Sequence, residues 1–228
     1  MSLRVRERLG VADVVTLANA VLGLVAMTAA VVGEPVLVAR LILLAAVADG
    51  LDGIIARTYG GTEVGPYLDS MADIVSFGTA PALFVFVVAN DPWGPLTDET
   101  AVFAVAAGAA SLVVVFSLLR TVLYTVYVGE DETRPGIQNT LTSSILAAAY
   151  LAGITGVPVI LAATVLLSVL MVAPVPYPKL AARDALAMGV VQVGAIAVPT
   201  VFERAFPRAL LVAALAYLTL APRFYWEQ

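Results

Sequence analysis

The chain contains eight long apolar runs, and their length constrains its fold more than any other feature. Crossing about 30 Å of hydrocarbon takes roughly 20 helical residues, and several runs reach that length. Continuous runs favour helices over a β-barrel, in which apolar and polar residues alternate along strands of about ten residues. With 61% hydrophobic residues, the sequence predicts an all-α, polytopic transmembrane bundle of about eight spans. The predicted spans are residues 13–32, 36–57, 66–89, 100–128, 138–154, 157–174, 187–202 and 208–222.

Basic residues are distributed unevenly around these spans, which predicts how the chain is oriented. Segments rich in Lys and Arg usually remain in the cytoplasm. With the N-terminus inside, nine basic residues lie on or towards the cytoplasmic side and three lie outside. Both termini are therefore predicted in the cytoplasm, for a multi-pass protein of the cell membrane. The inner set is Arg4, Arg6, Arg8, Arg57, Arg120, Arg134, Lys179, Arg183 and Arg223, and the outer set is Arg40, Arg204 and Arg208.

The composition also excludes several classes of function. A net charge of −5 argues against a nucleic-acid partner, which would call for a basic face. Cysteine and histidine are both absent, so disulfides, thiol nucleophiles, Ser-His-Asp triads and the usual zinc ligands are excluded. Any catalytic base must be a carboxylate or Lys179. Eleven of the twelve basic residues are arginines, which, with the acidic balance, points weakly to a halophilic source.

Four aspartates interrupt the apolar sequence where charge is costly. One charged side chain at the centre of a membrane helix costs about 2.5–3.5 kcal/mol, so four would cost on the order of 10 kcal/mol. Asp49 and Asp52 are three residues apart. Asp69 and Asp73 are four apart, so each pair shares one helix face. The second and third spans should form an antiparallel hairpin with all four acids near its cytoplasmic end.

Small residues accompany the acids on the same helix faces. Gly53 and Ala56 follow Asp49 by four and seven residues. Gly65 precedes Asp69 by four residues. Side chains of this size allow a ligand or a neighbouring backbone to approach the acids closely.

A bound cation would allow four carboxylates to lie close together. No His or Lys lies nearby in the sequence, and Arg57 alone cannot neutralise four acids. Oxygen ligands favour Mg²⁺, Mn²⁺ or Ca²⁺ over zinc, and two such ions would suit phosphoryl chemistry. The spacing leaves two other interpretations open, namely acids that relay protons or sodium in an ion-coupled transporter and acids that pair structurally with arginines.

The whole pattern, DGLDGIIAR, seven further residues and GPYLDSMAD, resembles the signature D-x-x-D-G-x-x-A-R…G-x-x-x-D-x-x-x-D of the CDP-alcohol phosphotransferases. This resemblance implies a membrane-embedded six-helix catalytic core. It also implies a reaction in which a hydroxyl group attacks the phosphorus of a CDP-activated lipid and releases CMP. The matching residues are Asp49, Asp52, Gly53, Ala56, Arg57, Gly65, Asp69 and Asp73.

The resemblance further implies a role for each matching residue. The four aspartates Asp49, Asp52, Asp69 and Asp73 would hold Mg²⁺ or Mn²⁺, as two ions, and Asp73 would also act as the general base. The CDP-lipid would contact Asp49, Asp52, Gly53, Ala56, Arg57, Gly65 and Asp69.

Three further stretches resemble the phosphatidylserine synthase branch of that family. They are TLANAVLG at residues 16–23, SFGTAP at 76–81 and LMVAPVPYP at 170–178. The branch implies L-serine as the acceptor, and the scattered arginines agree, because an acceptor such as glycerol phosphate or inositol phosphate would call for a basic cluster. Relatives are usually homodimers. A cation is expected to bind the serine carboxylate, and the candidate serine-binding residues are Arg120, Arg134, Gln138 and Asn139.

The resemblance divides the chain into three parts. Residues 1–12 form an N-terminal juxtamembrane segment, residues 13–180 the catalytic core, and residues 181–228 a C-terminal pair of transmembrane helices. One departure lies at the start of the first span. The family pattern usually has Pro-Asn there, whereas this chain has Ala12 and Asp13.

Overall fold

The computed structural model describes residues 5–90, 100–127, 133–178 and 182–224, which are almost entirely helical. Each predicted apolar run coincides with a helix or with consecutive helical segments, so the all-α prediction is confirmed. The helices are α1 (Val5–Arg8), α2 (Val11–Val31), α3 (Pro35–Tyr59), α4 (Gly65–Asp73), a π-helix (Ile74–Thr79), α5 (Ala80–Asn90), α6 (Thr100–Tyr127), α7 (Asn139–Leu151), α8 (Val157–Leu170), α9 (Ala182–Ala197) and α10 (Val201–Phe224), and the strands are β1 (Thr133–Pro135) and β2 (Pro176–Pro178).

Four helical segments of the described chain are long and apolar enough to cross a membrane. They are α2, the continuous run Gly65–Asn90, α6 and α10. Helices α7, α8 and α9 have 13, 14 and 16 residues, which corresponds to only about 20–24 Å at 1.5 Å per residue. The count of eight spans therefore remains a prediction. Of the residues that predicted the orientation, Arg4, Lys179 and the side chains of Arg6 and Arg134 lie outside the described part of the chain.

Helix α2 approaches the π-helix closely because Gly23 has no side chain. A Cβ atom at Gly23 would lie 2.6 Å from the Ser76 Oγ and 2.8 Å from the Ser76 Cα, distances that real side chains do not tolerate. The Ser76 hydroxyl donates a hydrogen bond of 2.8 Å to the Asn19 carbonyl. The first span is thus fixed against the segment that follows Asp73.

A two-stranded antiparallel sheet fixes the position where α7 begins. Strand β1 pairs antiparallel with β2, which joins the residues before α7 to those after α8. Gly136 has a φ of +72°, and a Cβ atom there would overlap the Met171 carbonyl, so this position requires glycine. The Gly136 N–H donates to the Val175 carbonyl at 2.9 Å. This arrangement holds Gln138 and Thr140 beside α3.

Of the two C-terminal helices, α9 packs directly on α3, the helix that carries Asp49 and Asp52. On α9, the Gln192 Nε2 donates to the Leu43 carbonyl of α3 at 2.7 Å. The Arg40 Nε of α3 donates to the Ile196 carbonyl at 2.6 Å, at the end of α9. Helix α10 packs on α7 and α9. The two bonds from Arg40 and Gln192 fix α9 against the part of α3 that precedes Asp49.

Candidate active site

Three of the four predicted acids, one from α3 and two from α4, converge on one point. One carboxylate oxygen from each of Asp49, Asp69 and Asp73 can be chosen so that all three atoms lie within 4.8 Å of one another. The four-residue spacing puts Asp69 and Asp73 on one face of α4, and this face lies towards Asp49 on α3. The two-helix site predicted from the spacing is present for these three residues.

Asp52 lies outside this group of three. It is 6% exposed, and its Oδ2 accepts a hydrogen bond of 2.7 Å from the Thr16 hydroxyl of α2. Its charge still acts on Asp49 and Asp73. Helix α2 therefore holds Asp52 by a direct bond that the spacing of the acids did not reveal.

The three acids have the chemistry that a hard divalent cation requires. All three ligands are carboxylate oxygens, the donors that Mg²⁺ and Mn²⁺ prefer. The Asp73 Oδ1 is buried and has no hydrogen-bond donor among the described residues. A buried carboxylate oxygen without a partner is costly, and a cation between the acids would satisfy it. The residues present therefore fit a divalent metal ion.

The acids line a polar cavity of about 160 Å³, and an arginine side chain forms part of the same lining. Arg120 of α6 is 9% exposed, and its guanidinium carbon lies 5.2 Å from the centre of the Tyr124 ring. It attracts Asp73 electrostatically. Gln138 lies in the same cavity wall. The structure thus brings two of the predicted serine-binding residues to the acids.

The other two candidates for serine binding are placed differently. The Asn139 side chain is buried, and its Nδ2 donates to the Thr121 hydroxyl at 2.8 Å, so it supports the wall from behind. The backbone of Arg134 pairs with Tyr177 in the two-stranded sheet, while its side chain lies outside the described part of the chain.

The small residues of the motif lie on α3 and α4 with the acids, but they are not among the residues that line the polar cavity. A Cβ atom at Gly53 would be 3.3 Å from the Arg57 Nη1, so the Arg57 side chain lies across Gly53. Ala56 is half-buried one turn further along α3. Gly65 is the first residue of α4. That these small residues admit a ligand beside the acids therefore remains a prediction.

Several polar residues of the cavity were not predicted. The Thr140 hydroxyl donates to the Asp49 Oδ2 at 3.3 Å. On α6 the sequence does hold a signal, because polar residues recur every three or four positions from Ser117 onwards and mark one helix face. Thr140 carries no such signal, since only the tertiary fold brings α7 to α3. The unpredicted lining residues are Ser70, Thr121, Tyr124, Thr125 and Thr140.

An apolar groove of about 440 Å³ adjoins the polar cavity. It lies between α4 and α6 and shares Ser70, Thr121 and Thr125 with the cavity. Its remaining lining residues are Tyr67, Met71, Ile74, Leu118, Val122 and Val126. A molecule with a polar head and an apolar chain can therefore occupy both spaces at once.

Fold and site together define a polytopic helical membrane protein with a centre of half-buried carboxylates. The chain belongs to the CDP-alcohol phosphatidyltransferase family, whose model matches residues 9–176. The resemblance stated from the motif is thereby confirmed.

Curated relatives agree with this family. The chain is 26% identical over 170 residues to an archaetidylserine synthase of Methanothermobacter thermautotrophicus, covering 73% of this chain and 69% of that protein. It is 40% identical over 72 residues to a CDP-diacylglycerol–serine O-phosphatidyltransferase of Mycobacterium bovis, covering 31% of this chain and 25% of that protein. A protein of the same name from Methanocaldococcus jannaschii is 36% identical over 83 residues, covering 36% and 38%.

Proposed function

We propose that the protein transfers a phosphatidyl or archaetidyl group from a CDP-activated lipid to the hydroxyl of L-serine and releases CMP. The observation that carries this proposal is the convergence of Asp49, Asp69 and Asp73 in a cavity bounded by Arg120 and an apolar groove. The apolar groove would bind the activated lipid, the acids would bind metal ions, and Arg120 would bind the carboxylate of the acceptor. The names of the relatives in the family support serine as the acceptor.

The carboxylates would hold two divalent ions, Mg²⁺ or Mn²⁺. Asp49, Asp69 and Asp73 form the common part of this site, and Asp52 supplies the fourth carboxylate from its position beside Thr16. When bound, such ions neutralise the pyrophosphate and stabilise the charge that develops on it.

The apolar groove would hold a chain of the lipid. It opens between α4 and α6, which both belong to segments long and apolar enough to cross a membrane. The pyrophosphate then lies beside the acids, and the cytidine lies along Gly53, Ala56, Arg57 and Gly65. The small residues of this face allow the nucleotide to approach, and Arg57 offers a positive charge to a phosphate.

Asp73 would act as the general base. Its carboxylate lies among the three converging acids in the cavity, so an oxygen that does not bind the metal would be placed to take the proton of the serine hydroxyl. As that proton leaves, the serine oxygen bonds to the phosphorus that carries the lipid, and the bond from this phosphorus to the bridging oxygen breaks. The electron pair leaves with CMP. Proton abstraction by a positioned carboxylate typically contributes 10²–10⁴-fold.

Arg120 and Gln138 would bind the serine itself. The guanidinium of Arg120 is held over the Tyr124 ring, and it can bind a carboxylate through charge-assisted hydrogen bonds. Asn139 would act indirectly, because its amide bonds to Thr121 in the cavity wall.

The membrane arrangement completes the proposal. The basic residues favour an eight-span protein of the cell membrane whose site opens towards the cytoplasm, where CDP-lipids and serine are available. Residues 13–180 would form the catalytic core and residues 181–228 an added pair of helices, with a homodimer as the assembly.

An acceptor panel tests the proposal. Purified protein, a CDP-lipid and Mg²⁺ or Mn²⁺ should release CMP with L-serine, and much less with ethanolamine, glycerol 3-phosphate or inositol phosphate, because these lack the carboxylate that Arg120 would bind. CDP-archaeol and CDP-diacylglycerol are compared as donors. Faster CMP release with a phosphorylated alcohol would replace serine as the acceptor. Ion flux in proteoliposomes without CMP release from any alcohol would instead indicate a transporter.

Arg120→Gln is expected to raise the KM for serine by about 10- to 150-fold, since a hydrogen bond to a charged group contributes about 1.5–3 kcal/mol. The KM for the CDP-lipid should change little. Initial rates at varied serine and varied lipid separate the two constants. The matched control is Arg183→Gln on the exposed surface of α9, which should leave both unchanged. A fall in kcat at constant serine KM would show that Arg120 acts on Asp73 instead.

A further inference from the structure

We infer that Asp13 is a positioning residue for the metal site, although it lies outside the four-acid motif. This inference rests on the proposed function, because it concerns the site where the divalent ions would bind. Asp13 is 2% exposed, near the start of α2, and it touches the loop between α3 and α4. A buried acid in this position needs hydrogen-bond donors, and the structure supplies two.

Both donors bond to the same carboxylate oxygen of Asp13. The Gly10 N–H donates to the Asp13 Oδ2 at 2.7 Å, which completes the first turn of α2 in the manner of a capping residue. The Thr62 hydroxyl donates to the same oxygen at 2.8 Å. The first bond is local, whereas the second joins two segments that are 49 residues apart in the chain.

The Thr62 hydroxyl also connects Asp13 to the first residue of α4. The Gly65 N–H donates to the Thr62 Oγ1 at 3.0 Å. A Cβ atom at Gly65 would lie 3.1 Å from the Asp13 Oδ1, so the carboxylate lies against the backbone where α4 begins. The contacts of Thr62 with Asp13 and with Gly65 therefore form a continuous link from α2 to the start of α4.

This link fixes the helix that carries two of the three converging acids. Asp69 follows Gly65 by four residues, so it lies one turn, about 6 Å, further along the same face. A shift or rotation of the first turn of α4 would move Asp69 relative to Asp49 on α3. Divalent ions of the Mg²⁺ type demand near-ideal oxygen geometry, so metal affinity should depend on the link.

Helix α2 holds the second acid helix in the same way. One turn after Asp13, the Thr16 hydroxyl donates to the Asp52 Oδ2 at 2.7 Å. Asp13, Thr16 and Asn19 are all buried and follow one another at intervals of three residues. One face of α2, which supplies none of the three converging acids, thus positions both helices that do.

The test is Mn²⁺ binding to the full-length protein in detergent without any lipid or serine, measured as free Mn²⁺ by electron paramagnetic resonance. Asp13→Ala should raise the Kd for Mn²⁺ by about 10-fold, the lower end of the effect of removing a hydrogen-bond partner of a metal ligand, because Asp13 acts on Asp69 through Thr62 and the start of α4. Asp13→Asn keeps an oxygen that can accept both bonds, so its Kd should stay within about threefold of the wild-type value.

Thr62 variants separate the link to α4 from the capping of α2. Thr62→Val removes the hydroxyl but leaves the Gly10 bond, and it should raise the Kd as Asp13→Ala does. Thr62→Ser restores the hydroxyl and should restore the affinity. When Asp13→Ala and Thr62→Val are combined, their effects on the Kd should not add, because both act through one link. These Thr62 variants carry the test alone if Asp13→Ala does not fold.

Two results would overturn the inference. If Thr62→Val, or folded Asp13→Ala, binds Mn²⁺ as tightly as the wild type, the link has no effect on the metal site while the proposed function stands. If the wild type binds no Mn²⁺, the metal part of the proposed function fails together with the inference.

Discussion

Asp73→Asn should lower kcat by at least about 10³-fold while the protein still binds the CDP-lipid. The amide has nearly the shape of the carboxyl group but cannot accept a proton at neutral pH, and loss of a general base typically costs 10²–10⁴-fold. Some additional loss is expected because Asp73 is also one of the three converging acids. The measurements are single-turnover CMP release and, separately, equilibrium binding of the CDP-lipid.

Glu63→Gln is the matched control for this experiment. Glu63 is an exposed carboxylate in the loop before α4, so the same chemical change at that position should leave kcat unaltered. If Asp73→Asn retained a rate near that of the wild type, another group would have to take the proton. With no histidine in the chain, Asp69 and Asp49 would be the next candidates.

Asp49→Asn should weaken Mn²⁺ binding more than Asp52→Asn. Asp49 belongs to the group of three acids within 4.8 Å, whereas Asp52 lies outside it and is bonded to Thr16. For Asp49→Asn we expect a rise in Kd beyond the roughly 10- to 100-fold that loss of an outer partner causes. Titration with Mn²⁺ gives the Kd of each variant, and the dependence of CMP release on Mn²⁺ concentration gives a second measure of the same order.

The order of the two effects is what the structure predicts. The sequence motif alone treats Asp49 and Asp52 alike, because both stand at fixed positions of one helix. Gly50→Ala is a suitable control, since a Cβ atom there would meet nothing within 4 Å. A larger loss of affinity in Asp52→Asn than in Asp49→Asn would show that the bound metal draws the site into another arrangement.

Local periodicity explains the parts of the fold and site that the sequence predicted. The apolar runs gave the helices, and the spacing of Asp69 and Asp73 gave their common face. Asp49 joins them because a short connection forces α3 and α4 to run antiparallel. These properties depend on residues close together in the chain, so a single sequence contains the necessary information.

The remaining features depend on contacts between distant segments. The Thr16 hydroxyl turns Asp52 towards α2, and the Thr140 hydroxyl reaches Asp49 from a helix 91 residues away. Thr140 does not stand out in the sequence, and Thr16, although it opens the stretch TLANAVLG, carries no sign in the sequence that it bonds to Asp52. The short helices α7, α8 and α9 show the same limit. Their apolar composition predicted spans, whereas tertiary packing determines how far each helix extends.

The π-helix after Asp73 has a consequence for how this segment can vary among related proteins. Its wider turn contains an additional residue, as in π-bulges inserted into α-helices, and the Thr79 hydroxyl donates to the Ile74 carbonyl five positions earlier. Removing one residue would return the segment to a regular α-helix, and the remaining residues would turn relative to α2, where the Ser76 hydroxyl bonds to the Asn19 carbonyl. The number of residues between Asp73 and α5 therefore decides which of them face α2.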